Sequence, residues 1–439
     1  MKVIVCGAGI GGLVAAAALA ECGLQVTVYE KAASEDVMRY DWHDDVEKDY
    51  FELLGVKPPE GTFRKKNWSF ASPCSEKVRR YYQEEKDADF SVERRALNRI
   101  LIDRAVNVEI EFASTVTAPI LRDGRVTGVV VNGRTEEADL VIDSAGVFSP
   151  LRRALVKEGL LLDFGKDEIF MAYRAFFERN KEVPDPEYTN KVYLKHMGQN
   201  GISWAILDND PNITDVLIGR IGELDDGTLA DALANLRKEN PIIGEKVVRG
   251  GIKVAIPVRY PATRTVADGY VSIGDAAFLT IPMLGSGIAS STKAAFLLSE
   301  TVKEALAAGE GQKTFSKENL WKYQVKIYRL FGAEHCGLDI LKRNVLKMDV
   351  NTLEWMLVSD ILTNDEIGKL AGGGMLNVSF KEILRKIKVA GIKRLGILLE
   401  LNGLLNKSKK AYRIAKKIPV EYDGRRIDEW EKSLNSLYE

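Results

Sequence analysis

The stretch KVIVCGAGIGG, residues 2–12, joins a short apolar run to a cluster of closely spaced glycines. Residues 11–22 are rich in Ala and Leu, which favour a helix, and residues 24–29 form a second run of branched residues. A strand, a glycine turn, a helix and a strand within about 30 residues have the size of one parallel crossover unit. The sequence therefore predicts a Rossmann-type α/β unit here.

The glycines of this turn match the pattern G-x-G-x-x-G, and Glu30 ends the second strand. Gly7 permits the tight turn, Gly9 lets a pyrophosphate approach the backbone, and Gly12 lets helix and strand pack closely. Glu30 would accept hydrogen bonds from ribose hydroxyls. A simple tight turn is the alternative, but strand, helix and acid in register favour dinucleotide binding, although they do not separate FAD from NAD. The residues predicted to hold the adenine half are Gly7, Ala8, Gly9, Gly11, Gly12, Glu30 and Lys31.

Length and composition describe an ordinary globular protein with more than one substructure. At 439 residues the chain exceeds the size at which one hydrophobic core keeps growing. Its 46% hydrophobic and 28% charged residues are typical of soluble proteins. A net charge of -1 gives no overall attraction to nucleic acid, which is not expected as a partner.

The expected location is the cytoplasm, with attachment to a membrane surface left open. The first residues lack the basic region, apolar core and cleavage site of a signal peptide. No stretch approaches the roughly 18 uninterrupted apolar residues of a membrane-spanning helix. Such a pattern excludes neither a peripheral helix nor a lipid-facing patch.

The sequence pattern changes along the chain. Between about 165 and 255 it becomes a series of short alternating runs, which predict an antiparallel sheet inserted into the parallel fold. Residues 270–273 return to a buried strand, residues 287–306 predict a long helix, and the chain after about 326 is mostly helical. The predicted divisions are a dinucleotide-binding domain at 1–160 and 256–325, a substrate-binding antiparallel sheet at 161–255, and a helical carboxyl-terminal region at 326–439.

A second glycine motif follows the strand at 270–273. It begins with Gly274-Asp275-Ala276-Ala277 and continues to a proline and to glycines that open the long helix. The motif resembles that of the flavoprotein group containing para-hydroxybenzoate hydroxylase and the geranylgeranyl reductases. The resemblance implies FAD, with Asp275 at its ribityl and pyrophosphate part and the later glycines beside the isoalloxazine ring. An ordinary loop with a helix cap is the alternative. The residues that the resemblance places at the flavin are Gly274, Asp275, Pro282, Gly285, Ser286, Gly287 and Ile288.

Two further stretches fit that resemblance. Arg94 falls where the family places a flavin-contacting arginine at the start of a helix, although a solvated helical charge is the alternative. Asp143-Ser144-Ala145-Gly146 is similar to the family's strand-to-glycine segment beside the dinucleotide, so Ala145 and Gly146 join the predicted cofactor site. The family's commoner version carries a second acid here. Together the matches span residues 1 to about 310, and the helical carboxyl-terminal region also resembles that of archaeal geranylgeranyl reductases.

The family resemblance implies an FAD-dependent oxidoreductase acting on CH–CH groups. Geranylgeranyl reductases saturate isolated double bonds of prenyl chains, with hydride from flavin N5 and a proton at the other carbon. The implied substrate is an isoprenoid lipid or a related hydrophobic molecule. Because no second dinucleotide motif is visible, the electron donor is expected to be a redox protein or a transiently bound nicotinamide. Two alternatives stay open: an aromatic hydroxylase using NAD(P)H and oxygen, and an electron-transfer partner that turns over no small molecule.

The chain departs from archaeal geranylgeranyl reductases in two places. Those proteins typically carry a Y-x-W-x-F-P segment in the substrate sheet and a cysteine in the loop after the second strand. Here Trp204 alone remains from the first pattern, and Trp42 takes the place of the cysteine. Trp204 is therefore predicted to line the substrate pocket, and a substrate other than a geranylgeranyl chain stays open.

The segment Tyr40–Asp45 concentrates two aromatic residues, a histidine and three carboxylates in a predicted loop near the flavin. His43 could donate a proton near neutral pH, and Asp44 or Asp45 could tune it or bind a polar substrate. The alternative is an acidic loop in which Asp44 or Asp45 caps a helix running to Leu54. The other two histidines are isolated, and no metal site is predicted. The predicted catalytic residues are Trp42, His43, Asp44 and Asp45.

The segment Lys381–Lys417 carries many Lys and Arg residues, few acids, and interleaved Ile and Leu residues. A basic amphipathic stretch of this kind can lie on an anionic membrane surface, which would suit a lipid substrate. The alternative is a helical layer packed on the core with solvated lysines.

Overall fold

The computed structural model describes residues 1–38, 40–65, 67–73, 77–81, 84–163, 165, 168–359, 361–371, 373–376 and 378–439. Within them the strands are β1 (Lys2–Cys6), β2 (Gln25–Tyr29), β3 (His43–Val46), β4 (Phe63–Lys65), β5 (Trp68–Ala71), β6 (Val78–Tyr81), β7 (Asp89–Glu93), β8 (Val108–Glu111), β9 (Val116–Arg122), β10 (Arg125–Val131), β11 (Arg134–Glu137), β12 (Leu140–Asp143), β13 (Ile169–Arg179), β14 (Asn190–Leu194), β15 (Gly201–Leu207), β16 (Ile213–Ile221), β17 (Ile243–Pro257), β18 (Val266–Ala267) and β19 (Tyr270–Ser272). The α-helices are α1 (Ile10–Ala20), α2 (Tyr50–Leu54), α3 (Arg94–Arg104), α4 (Pro150–Lys157), α5 (Asp226–Glu239), α6 (Ile288–Ala308), α7 (Lys317–Ile327), α8 (Ala333–Lys347), α9 (Val350–Val358), α10 (Asn364–Ala371), α11 (Phe380–Ala390), α12 (Leu395–Ala415) and α13 (Gly424–Asn435).

Strand β1 lies inside a sheet with the order β18-β19-β12-β1-β2-β8, and it pairs in parallel with both β12 and β2. Val3 and Val5 pack into one core and Ile4 and Cys6 into another, and all four are completely buried. Apolar residues on both faces are what a parallel strand covered on both sides requires. The predicted Rossmann-type unit is confirmed as β1, α1 and β2.

The turn between β1 and α1 can be built only from glycine at its tightest points. A Cβ atom on Gly12 would lie 2.3 Å from the carbonyl oxygen of Gly7. Gly7 has a φ of +100°, and a Cβ atom there would lie 2.7 Å from the carbonyl oxygen of Ser144. Real side chains do not tolerate such approaches to backbone atoms, so these glycines let β1, α1 and the end of β12 meet.

The predicted antiparallel sheet is present, with the strand order β17-β13-β16-β15-β14-β5-β6. Its pairs are antiparallel except for β14 and β5, which run in parallel. Strands β5 and β6 come from residues 68–81, inside the first segment predicted for the dinucleotide-binding domain. The sheet thus includes strands from outside 161–255. The sequence did not predict their membership, because pairing over long sequence distances leaves no local signal. The divisions at 1–160, 256–325 and 326–439 remain predictions.

The segment predicted as a loop around His43 is instead a strand. β3 pairs antiparallel with β7, with His43 opposite Glu93 and Asp45 opposite Ser91. The interpretation in which Asp44 or Asp45 caps the following helix is wrong, because Asp49 occupies the position before α2. The polar composition suggested a loop, but pairing with β7 and ion pairs with distant residues hold these carboxylates in a strand.

The helices of the carboxyl-terminal region confirm the predicted helical character. α7 and α13 contribute Trp321, Tyr323 and Trp430 to the same core as α1 and α6. α12 packs along α8 and touches α13 and α11. No helix among the residues that the structure describes is both long and apolar enough to cross a membrane.

Replacing Gly12 by Ala should lower the free energy of unfolding by about 3 kcal/mol, because the new Cβ atom collides with the Gly7 carbonyl. Urea denaturation of wild type and variant measures the change. Gly403→Ala is the control, since a Cβ atom there meets nothing within 4 Å in helix α12 and should stabilise by no more than about 1 kcal/mol. Equal midpoints for the two variants would contradict the packing described above.

Candidate active site

The glycine turn and Glu30 lie together at the carboxyl ends of β1 and β2. One carboxylate oxygen of Glu30 accepts a hydrogen bond from the Ala8 N–H at 2.8 Å, and the other accepts from the Ala32 N–H at 2.9 Å. These bonds fix the carboxylate beside the turn, where ribose hydroxyls would reach it. The neighbouring Lys31 is exposed at the edge of this site.

The second glycine motif lies against the first. A Cβ atom on Gly11 would approach Ser291 to 3.3 Å, and one on Gly274 would approach the Ser291 hydroxyl to 3.6 Å. A Cβ atom on Gly287 would lie 3.6 Å from a carboxylate oxygen of Asp275. The amino-terminal ends of α1 and α6, together with Asp275, therefore converge on one region, as the motifs predicted.

The two converging helix ends suit the anionic parts of FAD. Neither α1 nor α6 has a side-chain cap or an acidic residue in its first turn. The N–H groups there point out of the helices and favour negative charge, as a pyrophosphate or the C2 oxygen of a reduced flavin would supply. The residues present thus fit FAD, whose diphosphate would lie at α1 and whose flavin ring would lie at the loop before α6, residues 282–287, called the flavin loop below.

The segment after β12, residues 144–146, packs against the glycine turn between β1 and α1. Asp143 is completely buried and accepts hydrogen bonds from the Ala145 N–H at 3.0 Å and from the Tyr270 hydroxyl at 2.8 Å. Burial raises the pKa of Asp143 above its ordinary value, with the hydrogen bonds opposing that rise. Asp143 thereby fixes the start of the Ser144–Gly146 segment, whose Ser144 touches Gly7, Gly9 and Gly12.

Arg94 begins helix α3 and faces the flavin region. Its N–H donates to the Trp42 carbonyl at 2.9 Å, and its guanidinium forms an ion pair with Asp44. The guanidinium also stacks over the Tyr40 ring, 4.7 Å from its centre. Burial opposes the charge of Arg94, but Asp44 outweighs it, and Asp275 adds to a net rise in the pKa. Arg94 therefore lies within electrostatic reach of Asp275, the aspartate predicted to bind the flavin cofactor.

Trp42 and Trp204 meet in one apolar cluster on a face of the seven-stranded sheet. This aromatic face consists of Trp42, Phe170, Ala172, Phe176, Leu217, Val254 and Val258, with Tyr40, Ile202, Trp204, Ile213, Ile221, Ile252 and Ile256 packed around them. Gly285 of the flavin loop adjoins it, since a Cβ atom there would lie 3.4 Å from Ile256 and 3.8 Å from Val258. The predicted flavin loop and the predicted pocket residue Trp204 thus belong to neighbouring parts of one site.

A buried ion pair in this aromatic face was not identified from the sequence. Arg174 binds Asp215 through two hydrogen bonds of 3.0 and 2.6 Å and donates to the His43 carbonyl at 2.6 Å. Trp204 donates its indole N–H to Asp215 at 3.2 Å. One sequence signal could have identified the pair. In the strand IFMAYRAFFER, Arg174 is a charged residue at a core-facing position, where the alternating pattern otherwise has apolar residues.

His43 is held between two carboxylates. Its Nε2 lies 3.2 Å from Glu93 and its Nδ1 lies 3.1 Å from Asp208. Burial alone would lower the pKa of His43, but the two hydrogen-bonded carboxylates outweigh it and raise the pKa to about 9. His43 is therefore a cation at neutral pH. Asp45, on the same side of the strand, faces the buried ammonium of Lys65 at 3.4 Å.

Comparison with known proteins supports the same assignment. A family model described as an NAD(P)-binding Rossmann-like domain matches residues 5–34. A digeranylgeranylglycerophospholipid reductase of Sulfolobus acidocaldarius is 22% identical over 420 residues, covering 93% of this chain and 91% of that protein. The structure of a geranylgeranyl bacteriochlorophyll reductase-like protein of Thermoplasma acidophilum matches with a TM-score of 0.73 and 20% identity, covering 92% and 98%. A flavin-dependent brominase matches with a TM-score of 0.62 and 18% identity, covering 85% and 94%.

The fold and the curated relatives that align over most of the chain define the class of this protein as the FAD-dependent oxidoreductases. Within that class, the resemblance to the geranylgeranyl reductase family is confirmed by relatives that align over most of the chain. The predictions of the α/β fold, of FAD as the cofactor and of an oxidoreductase are confirmed with it.

Replacing Glu30 by Ala should weaken FAD binding by about tenfold to a hundredfold, because a charged acceptor of hydrogen bonds is lost. Titration of the apoprotein with FAD, followed by quenching of flavin fluorescence, measures the dissociation constant. Glu30→Gln keeps one acceptor oxygen and should lose less. Glu35→Ala is the matched control, since Glu35 pairs only with the exposed Arg99 among the contacts observed. An unchanged affinity in Glu30→Ala would remove this residue from the site.

The His43 cluster should make stability depend on pH in a defined direction. The folded pKa of about 9 exceeds the unfolded value of about 6.5, so the stabilisation is complete below about pH 6.5 and is lost as pH rises through 9. The same ion pairs lower the pKa values of Glu93 and Asp208 in the folded protein. The stability that these two carboxylates contribute is therefore lost only as pH falls through the lowered pKa values.

The measurement is the unfolding midpoint of wild type and His43→Asn at several values of pH. The gap between the two should be widest near pH 6 and should shrink toward pH 10. His196→Asn is the control, because burial lowers the pKa of His196 to about 4 and no change in its gap is expected between pH 8 and 10. If the difference in unfolding midpoint between wild type and His43→Asn stays constant up to pH 10, the ring of His43 is not a cation in the folded protein.

Proposed function

We propose that this chain is an FAD-dependent reductase that saturates carbon–carbon double bonds of an isoprenoid lipid or a related hydrophobic molecule. The observation that carries the proposal is the aromatic face, which adjoins the flavin loop at Gly285 and contains Trp42 and Trp204. Its partly buried members, among them Trp204, Ile252 and Ile256, offer an apolar lining, and an apolar lining next to a flavin suits a prenyl chain, which offers no groups for hydrogen bonding. The Sulfolobus relative, named for digeranylgeranylglycerophospholipid reduction, supports the same substrate class.

Bound FAD would supply hydride from N5. The protein's own side chains would bind the substrate, exclude water and position the charges around the reaction. The aromatic face binds the apolar chain and excludes water from the double bond. Asp44 is a positioning residue, because it holds both the Arg94 guanidinium and the Trp42 indole N–H, the latter at 3.1 Å. Arg94 then keeps a positive charge within electrostatic reach of Asp275, which the family resemblance places at the ribityl and pyrophosphate part of FAD, so it would favour the anionic cofactor.

The proton for the second carbon comes, in this proposal, from the segment Trp42–Asp45. At neutral pH His43 is protonated on both ring nitrogens, so that Nε2–H donates to Glu93 and Nδ1–H donates to Asp208. Giving up that proton requires one of these two ion pairs to open. Asp45, held by Lys65, remains the second proposed member of the proton path. Trp42 covers the path on the side of the aromatic face.

The proposed electron donor is a redox protein or a transiently bound nicotinamide. The relatives are named for the reduction of a digeranylgeranylglycerophospholipid, and because a phospholipid substrate resides in a bilayer, a peripheral contact with a membrane, from the cytoplasmic side, is part of the proposed function.

The reaction is tested by an anaerobic titration of dithionite-reduced protein with geranylgeranyl lipids, prenyl quinones and small enoates. Reoxidation of the flavin band by the prenyl compounds, with a product heavier by two hydrogens, is the expected result. A lack of reoxidation by every alkene would contradict the proposal. A hydroperoxyflavin formed with oxygen and an aromatic compound would favour the hydroxylase, and rapid oxidation only by a captured redox protein would favour the electron carrier.

Replacing His43 by Gln or Asp45 by Asn should leave flavin reduction by dithionite intact and slow alkene saturation by about a hundredfold or more. Single-turnover reoxidation of the reduced variants separates the two steps. Asp36→Asn is the control, since Asp36 is exposed and pairs with Arg99 on the surface. Wild-type saturation rates in both variants would place the proton source elsewhere.

A further inference from the structure

Helices α11 and α12 and the short turn between them expose several large apolar side chains to solvent. We call this set the α11–α12 surface. Its members are Ile383, Leu384, Ile387, Ile392, Leu395 and Leu399, each at least 40% exposed. Ile392, in the short turn between the helices, is 94% exposed. Soluble proteins rarely leave apolar patches of this kind uncovered unless the patch binds something.

The surface is a face of α11 that the helix turns away from the rest of the protein. Ile383, Leu384 and Ile387 lie within one turn of one another and so share a side of the helix. The helix is attached to the rest of the protein along an adjoining edge, by Lys386, which forms an ion pair with Glu366 of α10 at 2.8 Å, and by the buried Ala390. The apolar side chains are therefore exposed by the packing of α11 itself.

The charges around the surface are almost all positive. The segment Lys381–Lys417 contains two carboxylates, Glu382 and Glu400, and Glu382 is paired with Arg385 at 2.7 Å. Lys381, Lys388 and Lys393 are exposed beside the apolar side chains. Basic residues flanking an exposed apolar stripe are complementary to an anionic lipid surface, where the stripe enters the boundary between headgroups and acyl chains.

Helix α12 connects this surface to the flavin loop. Leu395 and Leu399 are exposed near its start, whereas Leu404 and Leu405 pack with Ile281 and Met283 just before the flavin-loop glycines. Nine residues of helix separate Leu395 from Leu404, a distance of about 14 Å. A membrane bound at the start of α12 would thus lie a short way from the proposed site of reduction.

We propose that the α11–α12 surface docks onto an anionic lipid bilayer, with Ile392 at its tip inserted among the headgroups. The reason for such docking rests on the proposed function, because a lipid substrate resides in the bilayer. The docking itself rests on the exposed apolar side chains and their basic surroundings.

The test is co-sedimentation of the full-length, FAD-loaded protein with vesicles of equal parts phosphatidylcholine and phosphatidylglycerol. The wild type should bind these vesicles and should bind pure phosphatidylcholine less. Ile392→Asp should reduce the partition coefficient by at least about tenfold, as should Lys388→Glu combined with Lys393→Glu. Raising the salt concentration to about 1 M should weaken wild-type binding, because the Debye length falls to about 3 Å.

Matched controls change similar residues elsewhere. Val106 is 67% exposed in the loop after α3, and Val106→Asp should bind vesicles as the wild type does. Lys86, whose side chain is 74% exposed, provides the charge control Lys86→Glu. Vesicle binding that is absent in the wild type, or equal in Ile392→Asp and Val106→Asp, would overturn the proposal. So would a wild-type dimer that Ile392→Asp converts to a monomer, because the surface would then cover a second copy of the chain.

Failure of docking and failure of the proposed function give different results. Ile392→Asp should reduce a detergent-solubilised prenyl lipid at the wild-type rate, because the docking surface takes no part in the chemistry. If the wild type binds anionic vesicles but reduces no solubilised alkene, the docking proposal stands and the reductase proposal falls.

Discussion

The approach of helix α1 to strand β1 at Gly12, which leaves no room for a Cβ atom beside the Gly7 carbonyl, sets the rest of the architecture. It fixes the amino-terminal end of α1 at the edge of the parallel sheet, against Ser144 and the segment after β12. Helix α6 packs on α1, so its own amino-terminal end arrives at the same edge. Two uncapped helix ends thereby meet at one edge of the sheet, and the spacing of backbone atoms there suits an anionic ligand such as FAD.

The other half of the site depends on ion pairs that bind β3 to its surroundings. Arg94 holds Asp44, Lys65 holds Asp45, and the carbonyl of His43 accepts from Arg174. Buried pairs of this kind contribute little net stability, but removing one partner leaves an uncompensated charge. They therefore specify where the strand lies. Trp42 takes the place where the archaeal reductases that the chain resembles typically carry a cysteine, and the Arg174–Asp215 ion pair is the charged part of the aromatic face next to it.

Local patterns predicted the parts of the protein that local chemistry determines. The glycine spacing and Glu30 predicted the first crossover unit, and Gly274–Gly287 predicted the start of α6 to within a residue. The strand β3 and the transfer of β5 and β6 to the large sheet were missed, because both depend on partners far along the chain. Asp208 and Arg174 were not predicted from the sequence for the same reason. Neither lies in a motif, and each comes close to His43 only through the pairing of the sheet.

Whether the flavin faces an apolar site for an alkene is measured most directly by the substrate dependence of flavin reoxidation. Reduced protein is mixed without oxygen with a geranylgeranyl lipid, and the flavin absorbance and product mass are followed. Reoxidation in step with saturation of the lipid, and its loss when Trp204 is replaced by a charged residue, is the result expected from the aromatic face. Reoxidation that ignores the alkene and responds only to oxygen or to a protein acceptor would contradict it.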